Sequence, residues 1–201
     1  VVSITLTFNA EIIAPDNCIG NENSIEISSN LPDADYGFIY TLTGANNQVG
    51  LIDTATISTG LGNFIVADTS LTNSGNQVIT VTAVAILEGE SCSVSGLEIR
   101  DTFDIQGEIS ITENPIADNQ CTGSQIIIEG NGNNNGPGGT VYQWRQSIDG
   151  TSFSDINDQG VYTGTASNSL NIDDNTGLNG YYYQLAVSSP ECPEIATDSI
   201  Q

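Results

Sequence analysis

Short runs in which every second residue is apolar recur along this 201-residue chain. Side chains alternate faces along a strand, so such runs predict half-buried β-strands. Residues 1–8 are the clearest case: Val2, Ile4, Leu6 and Phe8 share one side, and Ser3, Thr5 and Thr7 the other. A turn at Ala14-Pro15-Asp16-Asn17 leads to a strand over residues 24–28, with Ile25 and Ile27 inward. Residues 30–35 make a polar turn, and Phe38, Tyr40 and Leu42 then line one side of residues 36–42. Shorter strands over 49–52 and 64–67 are split by Gly60-Leu61-Gly62-Asn63. Over residues 78–87 a strict period of two puts Ile79, Val81, Ala83, Ala85 and Leu87 on one face. Glu88-Gly89-Glu90 is a turn, and Leu97, Ile99, Phe103 and Ile105 mark a closing strand.

The second half repeats the plan. Ile109 and Ile111 mark a first strand, Asn114-Pro115 a turn, and Ile126, Ile127 and Ile128 a second strand. Residues 130–139 are rich in glycine and asparagine and read as a loop at one tip. Strands over 141–146 and 181–187, a hairpin turn at Asp149-Gly150, and Leu170 with Ile172 complete the pattern, and residues 195–201 begin a last strand. Many short strands between turn signals predict an all-β chain of two tandem β-sandwich domains, 1–105 and 106–201. The join near Gln106-Gly107 has no Pro/Ser-rich spacer, so a stiff rod is expected.

There are four cysteines. Cys18 stands about as far from Cys92 as Cys121 does from Cys192, and this repetition suggests the bridges Cys18–Cys92 and Cys121–Cys192. Four cysteines allow three pairings, and spacing alone does not choose among them. Without histidine a mixed cysteine–histidine zinc site is excluded, and an oxidising, extracellular setting fits better.

The landmarks of residues 141–187 resemble the middle of an immunoglobulin-like sandwich. Trp144 stands where such domains bury a tryptophan, and Gly180-x-Tyr182 looks like the turn and tyrosine that open the sixth strand. Two residues on, where antibody domains carry a cysteine, stands Gln184. On this alignment Tyr182 turns inward, and Tyr181 and Tyr183 share the opposite face. The wording Tyr142-Gln143-Trp144, Asp149-Gly150, Tyr162-x-Gly164, Leu170-x-Ile172, Asn179-Gly180-Tyr181-x-Tyr183 and Cys192 also resembles the repeats of very large Bacteroidetes surface proteins. These include the gliding-motility adhesin family, which chains immunoglobulin-like or PKD-like modules. The resemblance spans residues 121–192 and is weak over 1–105, which lacks a tryptophan. It implies secretion, adhesion and extension from the cell surface, with neighbouring modules of the same chain as the first partners. It brings no catalytic residues.

Charge narrows the function. Twenty-five acids against two arginines, Arg100 and Arg145, give a net charge of −23, which repels nucleic acid and anionic membranes. The plain reading is a solvated coat on an extracellular protein. The sharper one is that Asp101, Asp104 and Glu108, close together at the expected boundary, hold calcium, which needs six to eight oxygens. Without histidine or lysine there is no Ser-His-Asp, Cys-His or Ser-Lys arrangement, so an enzyme is not expected. No apolar run reaches membrane-spanning length, and a chain that opens on Val1 reads as part of a longer exported protein. The expected function is a structural and adhesive repeat segment of a surface filament. The alternative is a carbohydrate- or protein-binding accessory module that uses tip loops or exposed tyrosines.

Overall fold

The computed structural model describes residues 8–87, 93–117 and 121–201. The chain divides into two compact units, Val1–Gln106 and Gly107–Gln201. Each is built of two facing sheets, and the fold is a tandem of immunoglobulin-like β-sandwiches. Among the described residues the only helical turn is a short 3-10 turn, Asp68–Ser70. No helix among them is long and apolar enough to cross a membrane.

The first unit runs β1 (Ala10–Ile13), β2 (Asn17–Cys18), β3 (Asn23–Ser29), β4 (Ala34–Gly44), β5 (Gln48–Ile57), β6 (Leu61–Val66), β7 (Gly75–Ile86) and β8 (Ser93–Gln106). One sheet has the order β1-β3-β6 and the other β2-β8-β7-β4-β5. The strand expected over residues 1–8 lies outside the described residues except for Phe8, which packs half-buried on the core. The turn Glu88-Gly89-Glu90 lies outside them as well. β3 and β4 follow their apolar alternation, with Ile25 and Ile27 facing Tyr36, Phe38, Tyr40 and Leu42 across the core. With no tryptophan available, aromatic rings fill the centre. Phe38 stacks on Phe64 with ring centroids 5.4 Å apart, and Tyr40 lies 5.3 Å from the same ring.

β7 departs from the strict period of two. Ile79 and Val81 are buried, but the next buried position is Val84, not Ala83. The register slips between Val81 and Ala83, so Thr82 is an extra residue that reverses the alternation. Its hydroxyl donates to the Ile39 carbonyl 3.2 Å away. Ala83 and Ala85 are therefore on the outer face.

The second unit runs β9 (Ile109–Ala117), β10 (Ile126–Asn134), β11 (Val141–Ser147), β12 (Ser154–Asp155), β13 (Tyr162–Thr163), β14 (Ser169–Ile172), β15 (Tyr182–Ser188) and β16 (Ile195–Ala196). Its sheets have the orders β13-β14-β10-β9 and β12-β11-β15-β16. Trp144 is fully buried, as expected, and its indole N–H donates to the Ser167 carbonyl at 2.9 Å. Residues 130–134, read from the sequence as loop, continue β10 against β9. Glycine permits this. A Cβ on Gly132 would stand 2.7 Å from Val187, and one on Gly130 3.3 Å from Leu185, so the two sheets approach over bare backbone. The true loop is residues 135–140, pinned by the Asn134 side chain, which donates to the Gly138 carbonyl at 2.7 Å.

Candidate functional site

Of the three predicted calcium ligands, the two in the first unit do not share a face of the sheet. Asp101 and Asp104 are three residues apart on β8, and alternation along a strand sends them to opposite faces. The Asp101 carboxylate accepts from the backbone N–H groups of Ala14 (2.9 Å) and Thr102 (2.8 Å). Asp104 instead accepts from the Asn76 side chain at 3.1 Å. Glu108 belongs to the second unit. Among the described residues no three acidic or sulfur side chains are grouped to hold a metal ion.

The cysteines also differ from the expected pairing. Cys18 is disulfide-bonded and so is Cys192, while Cys121 carries a free, exposed thiol. The expected bridge Cys121–Cys192 is not made, and strand direction explains why. Cys121 follows β9, at the end where Ala117 pairs with Ile128, and its carbonyl accepts from the Asn175 side chain. Cys192 follows β15, at the other end, its buried sulfur 3.2 Å from the Gly107 carbonyl oxygen. The nine residues of β9 lie between the two ends. At ~3.3 Å per residue that is far beyond the ~7 Å limit between bridged Cα atoms. The other expected bridge falls on Cys92, which lies outside the described residues. Cys18 sits opposite Gln106, and Ser93 is at the far end of the same 14-residue strand.

The three tyrosines are placed one residue off the expected register. Tyr183, not Tyr182, faces the core: Leu185 sits directly opposite Trp144, and Gln146 opposite Tyr183. Leu185 therefore occupies the place assigned to Gln184. Burial raises the Tyr183 hydroxyl pKa well above the usual phenol range, helped by the neighbouring Tyr162 hydroxyl 3.2 Å away. Tyr182 turns outward over the Asp149-Gly150 turn, where a Cβ on Gly150 would lie 3.3 Å from its ring.

Several acids are fully engaged in holding loops. Asp149 accepts from the Thr151 and Ser152 backbone N–H groups at 2.8 Å each and from the Ser147 hydroxyl. These bonds hold its carboxyl well below the ordinary value. Asp158 is lowered by the Thr165 hydroxyl and N–H, and Asp174 by Thr176. Arg145, between β12 and the segment after β15, pairs with Glu194 through both terminal nitrogens and with Asp155 at 2.7 Å. In the sequence Asp155 with Asp158 and Asp173 with Asp174 are carboxylate pairs that read as loop acids and Asx-turns, and Asp149-Gly150 reads as a turn; the Arg145 pairings have no such signal.

Two of the concave features among the described residues bear on ligand binding. A cavity of about 350 Å³ opens at the Cys121 end of the second unit, floored by Ile128, Ile172 and Tyr183 and rimmed by Thr122, Asn175 and Asn179. An open groove of about 630 Å³ crosses the outer face of β1, β3 and β6, lined by Glu11, Ile13, Glu26 and Asn63.

No protein family matches the sequence, and no curated protein does. Solved structures do. The three N-terminal domains of the Highly Immunogenic Outer Capsid protein of bacteriophage RB49 superpose with a TM-score of 0.54 at 10% identity, over 94% of this chain and 69% of that one. The titin I-band fragment I67-I69 gives 0.48 at 9% identity, over 96% and 64%. Murine CEACAM1b gives 0.42 at 15% identity, over 96% and 98%. At these identities the likeness is one of fold.

Proposed function

We propose that the chain is a structural and adhesive segment of a large exported surface protein. Its job is to hold a binding part away from the cell and to carry tension, as in the Bacteroidetes gliding-motility adhesins whose repeats the second unit resembles. One observation carries the reading. In the first unit β2 runs parallel to β8, with Asn17 opposite Ile105 and Cys18 opposite Gln106. Tension on the two ends of such a unit shears these strands past each other, so their hydrogen bonds resist together instead of opening one by one. The second unit has a comparable tie, because Asn114 of β9 and Asp198 beyond β16 bond reciprocally at 3.0 Å. Oxidised cysteines and a solvated acidic coat suit an extracellular setting.

The loop acids and buried tyrosines act in this reading as fasteners, not as reactive groups, and the reading is non-catalytic. The test is a screen of the fragment against glycans and surface proteins, together with antibody labelling of intact cells. Surface labelling with no saturable ligand supports a shaft. Saturable glycan binding abolished by substitutions in the tip loop 135–140 or at Tyr182 replaces it with the accessory-module reading. Absence of label from intact cells overturns both.

A further inference from the structure

The outer face of the five-stranded sheet in the first unit differs from the rest of this acidic chain. Ile39 stands opposite Ile52 on one side and Ala83 on the other, and Gly37 opposite Thr54 and Ala85. Leu87 reaches over Gly37, where a Cβ would meet it at 3.3 Å. Ile52 is 67% exposed and Leu87 53%. Thr41, Thr80 and Arg100 form the next row across the strands. Among the described residues, acids on this face are confined to three places. Asp35 and Asp104 stand at its two ends, and Glu98 is bonded to Arg100 at 3.1 Å. The corresponding face of the second unit is charged, with Arg145 between Asp155 and Glu194.

We infer that this face, centred on Ile39 and Ile52, is where a second copy of the same chain docks. Two molecules of charge −23 meet most readily where unpaired carboxylates are fewest. A basic partner would find little to bind there, since among the described residues the acid near the centre, Glu98, is already paired. A two-fold contact suits the one charged pair, because it sets Arg100 of each copy against Glu98 of the other. Four strands ~4.8 Å apart, over about seven residues at ~3.3 Å each, offer on the order of 450 Å² per copy. That is below the ~800 Å² per partner of a stable complex, so the dimer is weak and concentration-dependent. The inference stands apart from the proposed shaft role, since a shaft works with or without lateral pairing.

Analytical ultracentrifugation of the fragment over a concentration series tests it. A reversible dimer is expected, tighter as sodium chloride screens the net charge. Ile52→Asp should weaken it at least tenfold with the melting temperature unchanged. Glu98→Arg and Arg100→Glu should each associate poorly alone and more strongly when mixed, an effect that the bond within one chain does not produce. A monomer at every concentration and salt overturns the inference, as does a dimer indifferent to Ile52→Asp. Failure of the two charge variants to associate on mixing overturns the two-fold register.

Discussion

Asp149 lies at the surface, yet its carboxylate accepts three hydrogen bonds that exist only in the folded chain. They favour the ionised form, so its pKa is depressed on folding. The sign follows from proton counts. Above the unfolded aspartate value of ~3.9 the contribution is fully present, and it is lost as pH falls through the lower folded value. Asp158 and Asp174 behave alike. Thermal melts from pH 7 down to pH 2 should show a steep loss of stability below about pH 4, and Asp149→Asn should melt lower at pH 7 with a shallower acid limb. An unchanged acid limb would contradict this role. The opposite sign holds for Tyr40, which burial and Asp53 push up to about 12. Between the unfolded value of ~10 and that figure only the unfolded chain ionises, so stability falls as pH rises. In Tyr40→Phe that share of the alkaline loss should vanish. The two oxygens of the Asp101 carboxylate are already met by N–H groups. Calorimetric titration with calcium should therefore give only weak, non-saturating heat, and a stoichiometric binding curve would contradict the geometry. The buried tryptophan was legible at this scale, because a lone Trp in an apolar strand has few other places to go. The inward tyrosine was not, since three identical residues in a row carry no parity of their own.

Strand by strand, apolar alternation located most of the sandwich. It failed where one residue breaks the period, as at Thr82, and where glycine replaces the apolar signal, as in residues 130–134. A bulge adds no distinctive residue type, and a glycine packed against another sheet reads as flexibility unless the opposing surface is known. Gly132→Ala tests the second case. Its Cβ would stand 2.7 and 2.9 Å from the Val187 methyl groups and 3.1 Å from the Ser110 carbonyl. Overpacking of this kind costs ~1–3 kcal/mol, read as a lower denaturation midpoint with an unchanged m-value. A neutral substitution would mean that β10 and β15 are not held this closely. The Cys121–Cys192 pairing was misread for a related reason. Equal spacing reported that the units repeat, but it held no information on which loops share an end of a sandwich. That follows only from strand direction.

At the scale of the molecule, a charge of −23 on 201 residues opposes compaction. The melting temperature should therefore rise between very low and physiological salt, and a flat response would show that the acids are too widely spaced to matter. The central claim is mechanical: each unit is a separate force-resisting module. Single-molecule stretching of the chain between reference domains, under reducing conditions, tests it most directly. Two distinct unfolding events are predicted, each releasing roughly 30–35 nm, the extended length of about a hundred residues. A smooth extension without force peaks, or a single event releasing both units together, would contradict the account.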